Sequence, residues 1–160
     1  MMTTPSFPKP EHDHKSCVTR LLQHAEQLCR KTGKRLTGQR RAILEIIGSS
    51  HKATGAYDVL EMMSKQGHRT APITVYRALD FLMSAGLVHR ISSLNAFIAC
   101  HHDHGSDPVQ LLICKICGAV GELEEPAITR AIHKAAGRAG FAIEEPVVEI
   151  TGTCAHCCAA

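Results

Sequence analysis

Two cysteine pairs in the last third of the chain have the spacing of a metal site. Cys114 and Cys117 form one Cys-x-x-Cys pair, and Cys154 and Cys157 form a second pair after 36 intervening residues. Each pair can present two thiolates from a tight turn, and together they complete the tetrahedron of a closed, structural zinc site. A single pair would also suit disulfide exchange, but two copies favour zinc. Cys158 could compete as the fourth ligand, although the spacing favours Cys157.

A second group of metal donors lies between residues 89 and 122. It combines imidazole and carboxylate side chains with one thiolate, a soft ligand that favours zinc. The thiolate of Cys100 is therefore the discriminating donor. The candidates are His89, Cys100, His101, His102, Asp103, His104, Asp107 and Glu122.

Composition places the chain among ordinary globular proteins. Its 160 residues are 44% hydrophobic and 21% charged, enough for one sizeable domain or two small ones. No apolar run approaches the length of a membrane span, and the first residues lack the apolar stretch of a secretory signal. We therefore expect a cytoplasmic protein without membrane contact, in which eight cysteines serve as metal ligands and buried thiols.

The charge is divided unevenly along the chain. Residues 1–90 carry 14 Lys and Arg against 7 Asp and Glu, a balance of +7, whereas residues 91–160 carry 4 against 8, a balance of −4. A basic first half joined to an acidic second half suggests that the first half binds a polyanion.

Helical patterns dominate the first half of the chain. Residues 1–15 contain three prolines and read as a flexible tail, in which we interpret His12 and His14 as solvated rather than metal-bound. Apolar residues then recur at helical spacing in four segments, each followed by a glycine. The first begins near Leu21, the second follows Thr37 as its cap, the third follows Thr54, and the fourth opens at Pro72.

The four helical patterns are followed by two strand-like runs, LVHRI and AFIAC, joined at residues 92–95. Helices followed by a hairpin predict a winged helix-turn-helix over residues 16–100, with the fourth helix entering the major groove. A polar hinge over residues 101–108 then leads to strand, strand, helix and strand patterns over residues 109–160. The predicted fold is α+β: a winged-helix domain followed by a small α/β dimerisation and metal-binding domain stapled by the four cysteines.

The order of several motifs resembles the ferric uptake regulator superfamily, and most closely its zinc-sensing branch. The likeness runs from about Leu21 to Cys157. The motifs are TVYRALDFL from Thr74, GLVHRI from Gly86, NAFIACH from Asn95, and Cys114-x-x-Cys117 followed by glycine. The resemblance implies a homodimeric, metal-activated transcription repressor that binds an inverted-repeat operator in double-stranded DNA, with two zinc ions per chain.

The resemblance also implies which residues act. His89, Cys100 and Glu122 match ligands of the regulatory zinc. We choose His104 as the remaining ligand, with His102 and Asp107 as alternatives, because the intervening segment differs in length from the family pattern. The implied DNA contacts are Tyr57, Thr74, Tyr76 and Arg77, with Arg35 and Arg40 approaching the backbone or the minor groove.

Three other interpretations stay open at this point. A family member that senses another metal or peroxide would share the fold, and a zinc buffer or carrier would bind zinc without coupling it to DNA. A zinc hydrolase needs an open coordination position, and no HExxH motif supports one. We therefore expect a regulator that is not an enzyme.

Overall fold

The computed structural model describes residue 7, residues 12–101 and residues 108–159, which fall into two compact units. Residues 12–101 belong to the first, called here the N-terminal unit. Residues 108–159, with Phe7, belong to the second, called the C-terminal unit. Most of the predicted tail and most of the predicted hinge lie outside the described residues.

The N-terminal unit contains four α-helices, a one-turn 3-10 helix at Ser92–Leu94 and a small three-stranded sheet. Its elements in chain order are α1 (His14–Lys31), α2 (Gly38–Gly48), β1 (Thr54–Gly55), α3 (Ala56–Lys65), α4 (Pro72–Ser84), β2 (Val88–Ile91) and β3 (Ala96–Ala99).

Local sequence explains where these helices begin. The Thr37 side chain accepts a hydrogen bond from the Arg40 amide and caps α2, and Pro72 occupies the first turn of α4, as predicted. Helix α1 begins earlier than the apolar pattern indicates, because the Asp13 side chain accepts a hydrogen bond from the Lys15 amide and caps the helix at His14.

The helices of this unit enclose one hydrophobic core. The buried face of α4 packs against α2 and α3, and β3 contributes Phe97 and Ala99 from the other side. The fully buried aliphatic side chains of this core include Ile43, Leu44, Ile47, Val59, Met63, Val75, Leu79 and Leu82.

Strands β2 and β3 form the predicted antiparallel hairpin, with His89 opposite Ile98 and Ile91 opposite Ala96. Asn95 makes the turn in the left-handed conformation, with φ 46°, which Asn tolerates better than most side chains. The sequence reading missed β1, which pairs with the other edge of β3 and is too short for a periodic signal.

The C-terminal unit is a three-stranded sheet with two helices. Its elements are β4 (Gln110–Cys114), β5 (Val120–Leu123), α5 (Pro126–Arg138), β6 (Val148–Gly152) and α6 (Ala155–Cys158). Strand β4 lies in the centre, antiparallel to β5 and parallel to β6.

The side chain of Gln110 joins the sheet to helix α5. It is 1% exposed, its Oε1 accepts from the Glu125 amide at 3.1 Å, and its Nε2 donates to Thr129 Oγ1 at 3.4 Å. Because both ends of the amide are satisfied, its burial carries little desolvation penalty. The predicted α+β fold, with its four-cysteine cluster, is confirmed. Among the described residues no helix is both long and apolar enough to cross a bilayer.

Candidate functional site

The two cysteine pairs meet in the C-terminal unit because the parallel pairing of β4 with β6 brings the ends of both strands together. Cys114 is the last residue of β4 and lies opposite Gly152 at the end of β6. Cys117 sits in the turn after β4, where Gly118 takes a positive φ of 74°, and Cys154 caps the short helix that carries Cys157.

The four sulfurs are arranged as a zinc site requires. All four Sγ atoms lie within 4.8 Å of one another, and Cys117 Sγ and Cys154 Sγ are 3.8 Å apart. With zinc–sulfur bonds of 2.3 Å, the edge of a regular tetrahedron is about 3.8 Å. A disulfide would need sulfurs about 2.05 Å apart, so this spacing fits a metal ligand set better than a redox pair.

Two of the thiols have strongly shifted pKa values in opposite directions. The backbone amides of Cys117 and Cys154 donate to the sulfur of Cys114 and lower its pKa to about 6. Burial, together with hydrogen bonds to the sulfurs of Cys154 and Cys117, raises the pKa of Cys157 to about 12. The polypeptide therefore stabilises the Cys114 thiolate by itself, and a bound cation would be needed to hold Cys157 deprotonated.

Cys158 lies outside this cluster. It is exposed, and its sulfur faces the carbonyl oxygen of Thr153 at 3.7 Å. The geometry thus gathers Cys157, not Cys158, with the other three sulfurs.

His89 and Cys100 come together at the open end of the β2–β3 hairpin, called here the wing. His89 is on β2, and Cys100 follows β3 with its amide donating to the carbonyl of Leu87 at 2.9 Å. The imidazole and the sulfur have ligand atoms within 4.8 Å of each other, and Cys100 is buried. The hairpin register thus supplies two zinc donors from two strands.

The other predicted ligands of the regulatory site come from residues that follow Cys100 in the chain. Glu122 is on β5 of the C-terminal unit, opposite Leu111, and is half-buried. His102, His104 and Asp107 lie outside the described residues, so the choice among them stays a prediction.

Helix α4 has one buried face and one exposed face. Val75, Ala78, Leu79 and Leu82 are buried in the core, whereas Tyr76 and Arg77 point away from it. Thr74 is half-buried at the start of the same exposed side. On α3, Tyr57 is 73% exposed.

The two arginines around α2 differ in freedom. Arg35 is exposed, whereas Arg40 is half-buried, with its guanidinium 3.5 Å from the centre of the Phe81 ring and its Nη1 donating to the Arg35 carbonyl at 2.7 Å. Arg40 therefore also connects the segment before α2 to the Phe81 side chain on α4. The sequence did not indicate this structural role.

The structure corrects the interpretation of the N-terminal histidines. His12 and His14 are half-buried rather than solvated, and they lie beside His51 from the loop after α2. The sequence reading missed this cluster because the three residues are 39 positions apart at their extremes and form no local motif.

Comparison with known proteins agrees with both units. Residues 31–151 match the sequence profile of the ferric uptake regulator family. The zinc uptake regulation protein of Escherichia coli strain K12 is 37% identical over 144 residues, covering 89% of this chain and 84% of the relative.

Two solved structures are also similar over nearly the whole chain. A zinc uptake regulator complexed with zinc and DNA superposes with a TM-score of 0.83 at 36% identity, covering 89% of this chain and 95% of the other. The structure of holo XcZur gives a TM-score of 0.80 at 38% identity, covering 87% and 97% respectively.

Proposed function

Because this chain belongs to the ferric uptake regulator family, we propose that it is a zinc-responsive, DNA-binding transcriptional repressor that controls genes of zinc uptake and homeostasis. The observation that carries the proposal is the presence, in one chain, of a four-sulfur cluster and of a separate imidazole–thiol pair beside a winged helix. The two similar structures are zinc uptake regulators, one of them in complex with zinc and DNA.

The four cysteines would hold a structural zinc. All four positions of a tetrahedral ion would be filled by Cys114, Cys117, Cys154 and Cys157, so no position is open for a water or a substrate. This supports a structural role over hydrolysis, and we assign the protein no enzymatic activity. Such a site contributes directly to the folding free energy of a unit as small as this one.

The regulatory zinc would be bound by His89, Cys100, His104 and Glu122. The close approach of His89 and Cys100 supports two of these ligands, and the resemblance to the family supplies the other two, with His102 or Asp107 as substitutes for His104. These four residues would converge on the ion, and zinc when bound would supply the coordination bonds that favour this conformation. The population would shift toward the operator-binding state only to the extent that these ligands bind zinc more tightly in that state.

The recognition surface would be the exposed side of α4. Arg77 can donate two parallel hydrogen bonds to the O6 and N7 atoms of guanine in the major groove, while Thr74, Tyr76 and Tyr57 would contact the neighbouring backbone or bases. Arg35 would reach phosphate or the minor groove, with Arg40 beside it. In a two-fold symmetric homodimer, two such surfaces would select an inverted repeat in cytoplasmic DNA.

The test uses random-sequence DNA duplexes, because the operator is not specified by the chain. The wild-type protein selects duplexes with and without added zinc, and the affinities of the enriched sequence are then measured at fixed salt. We expect an inverted repeat enriched only with zinc. Arg77→Ala should bind it at least about 10-fold more weakly, equivalent to 1.4 kcal/mol, whereas Arg30→Ala at the exposed end of α1 should change little.

A second variant separates zinc sensing from DNA recognition. Cys100→Ser should remain folded and retain the structural zinc, yet its DNA affinity should no longer rise with zinc. Unchanged zinc-dependent binding by Cys100→Ser would refute the regulatory site. Zinc binding without any effect on DNA affinity in the wild type would instead identify a buffer or carrier, and activation by iron, manganese or peroxide alone would identify a different sensor.

A further inference from the structure

Three histidines from two distant parts of the N-terminal unit converge on one point. His12 and His14 flank the N-cap of α1, and His51 belongs to the loop after α2. Their ligand nitrogens all lie within 4.8 Å of one another, and Nε2 of His51 is 2.8 Å from Nε2 of His12. We propose that these three imidazoles form a further zinc site, distinct from the four-cysteine cluster and from the His89–Cys100 pair.

The distances between the imidazole nitrogens are close to those that a bound zinc ion requires. Zinc–nitrogen bonds of 2.0–2.1 Å in a tetrahedron place ligand nitrogens about 3.3 Å apart, which lies between the 2.8 Å contact and the 4.8 Å outer limit. The ring centroids are 4.2, 4.7 and 5.0 Å apart, so small rotations of these half-buried side chains would bring the nitrogens to that spacing. Imidazole is a preferred ligand of zinc.

The local backbone holds two of the rings in place. Asp13 has an extended conformation, with φ −76° and ψ 98°, so that His12 and His14 lie on the same side of the chain. The Asp13 carboxylate accepts a hydrogen bond from the Lys15 amide at 3.0 Å and caps α1, which fixes the backbone between the two histidines.

The burial of the cluster also favours a bound ion. All three residues are half-buried, and Nδ1 of His14 is a buried atom with no hydrogen-bond partner among the described residues. A buried polar nitrogen without a partner costs free energy, and coordination of a cation would remove that cost. His101, at the end of the wing, packs on His51 with ring centroids 5.0 Å apart and limits how that ring can turn.

A zinc ion at this point would tie the beginning of α1 to the loop that leads from α2 into β1. It would therefore stabilise the unit in proportion to free zinc, because the ligand set does not exist in the unfolded chain. This inference does not rest on the proposed repressor function, since it concerns binding within a single unit.

The experiment counts zinc per chain in the full-length protein by titration against a chromophoric chelator. His12→Asn and His51→Asn should each bind one zinc fewer than the wild type, and His24→Asn, a half-buried histidine of α1 away from the cluster, should bind the full number. Combining His51→Asn with Cys100→Ser should remove two zincs if both sites exist. Loss of only the zinc assigned to Cys100 would leave the repressor proposal intact while rejecting the histidine site.

A second readout covers the case in which His51→Asn disturbs folding. His12 precedes the first helix, so His12→Asn should fold normally. In the wild type, zinc should slow amide hydrogen exchange in the first turn of α1 by at least 10-fold, and this protection should be absent in His12→Asn. An unchanged zinc count in His12→Asn, or equal protection in both proteins, would overturn the proposal.

Discussion

Single cysteines of the C-terminal unit differ sharply in what their sulfurs contact. Cys117 lies 3.8 Å from Cys154 within the four-sulfur cluster, whereas the neighbouring Cys158 is exposed and faces a backbone carbonyl. The two residues therefore offer a matched pair for testing the structural zinc.

Cys117→Ser should lose the tightly held zinc and unfold the C-terminal unit, because a structural zinc contributes on the order of 10 kcal/mol of binding free energy in small domains. Cys158→Ser should keep one zinc at this site and the wild-type melting temperature. The measurement is zinc content after mild chelation, with circular dichroism on the same samples. A folded, zinc-free Cys117→Ser protein would show that the cluster is not a structural staple.

Residue identity also explains why this cluster was predictable from sequence while the histidine cluster was not. Paired cysteines two positions apart are a local pattern with one dominant chemistry in a reducing compartment. His12, His14 and His51 come together only when Asp13 caps α1 and the loop after α2 folds back beside it. A contact of this kind depends on tertiary packing, which periodicity does not report.

At the scale of elements, an arginine adds a contact between the beginning of α2 and helix α4 to their shared hydrophobic core. The guanidinium of Arg40 lies over the ring of Phe81, and Arg40 Nη1 donates to the carbonyl of Arg35. Among the described residues, the side chain of the next residue, Arg41, pairs with the carboxylate of Glu26 of α1 at the surface. These adjacent arginines have the same helix propensity and differ in what they contact.

Arg40→Ala should lower the free energy of unfolding by about 1–2 kcal/mol, because it removes a half-buried cation–π contact and a charge-assisted hydrogen bond. Arg41→Ala should cost less than about 1 kcal/mol, as exposed ion pairs generally do. Denaturant unfolding of both variants gives the two values. Equal losses would mean that the Phe81 contact adds nothing to the stability of the N-terminal unit.

Element boundaries followed local chemistry wherever a capping residue or a proline set them. Thr37 and Pro72 start α2 and α4 as predicted, and the two strands of the wing appear at the alternating runs. The exceptions are β1, with two residues, and the first turn of α1, which depends on a cap rather than on apolar periodicity. Both are stabilised by contacts that a window of hydrophobicity cannot register.

On the scale of the whole molecule, the C-terminal unit leaves much apolar surface uncovered in a single chain. Helix α5 has no buried residue although its sequence is amphipathic, and large hydrophobic side chains of this unit are exposed at Ile116, Phe141, Val147 and Ile150. Apolar surface of this extent in a small unit is typical of a protein–protein interface. It supports the proposed homodimer, which would also supply the second recognition helix for an inverted repeat.

Ile150 and Met62 are both 42% exposed but lie in different units, so they form a matched pair. Ile150→Asp places a charge on β6 and should weaken the dimer by at least about 100-fold, because burying an unpaired carboxylate at an interface costs several kcal/mol. Met62→Asp on α3 should leave the dimer unchanged. Sedimentation velocity over a dilution series measures both, with zinc content as a check that the four-sulfur site is intact. If Ile150→Asp dimerises as tightly as the wild type, β6 does not contribute to the interface, and the uncovered surface of this unit must serve another partner.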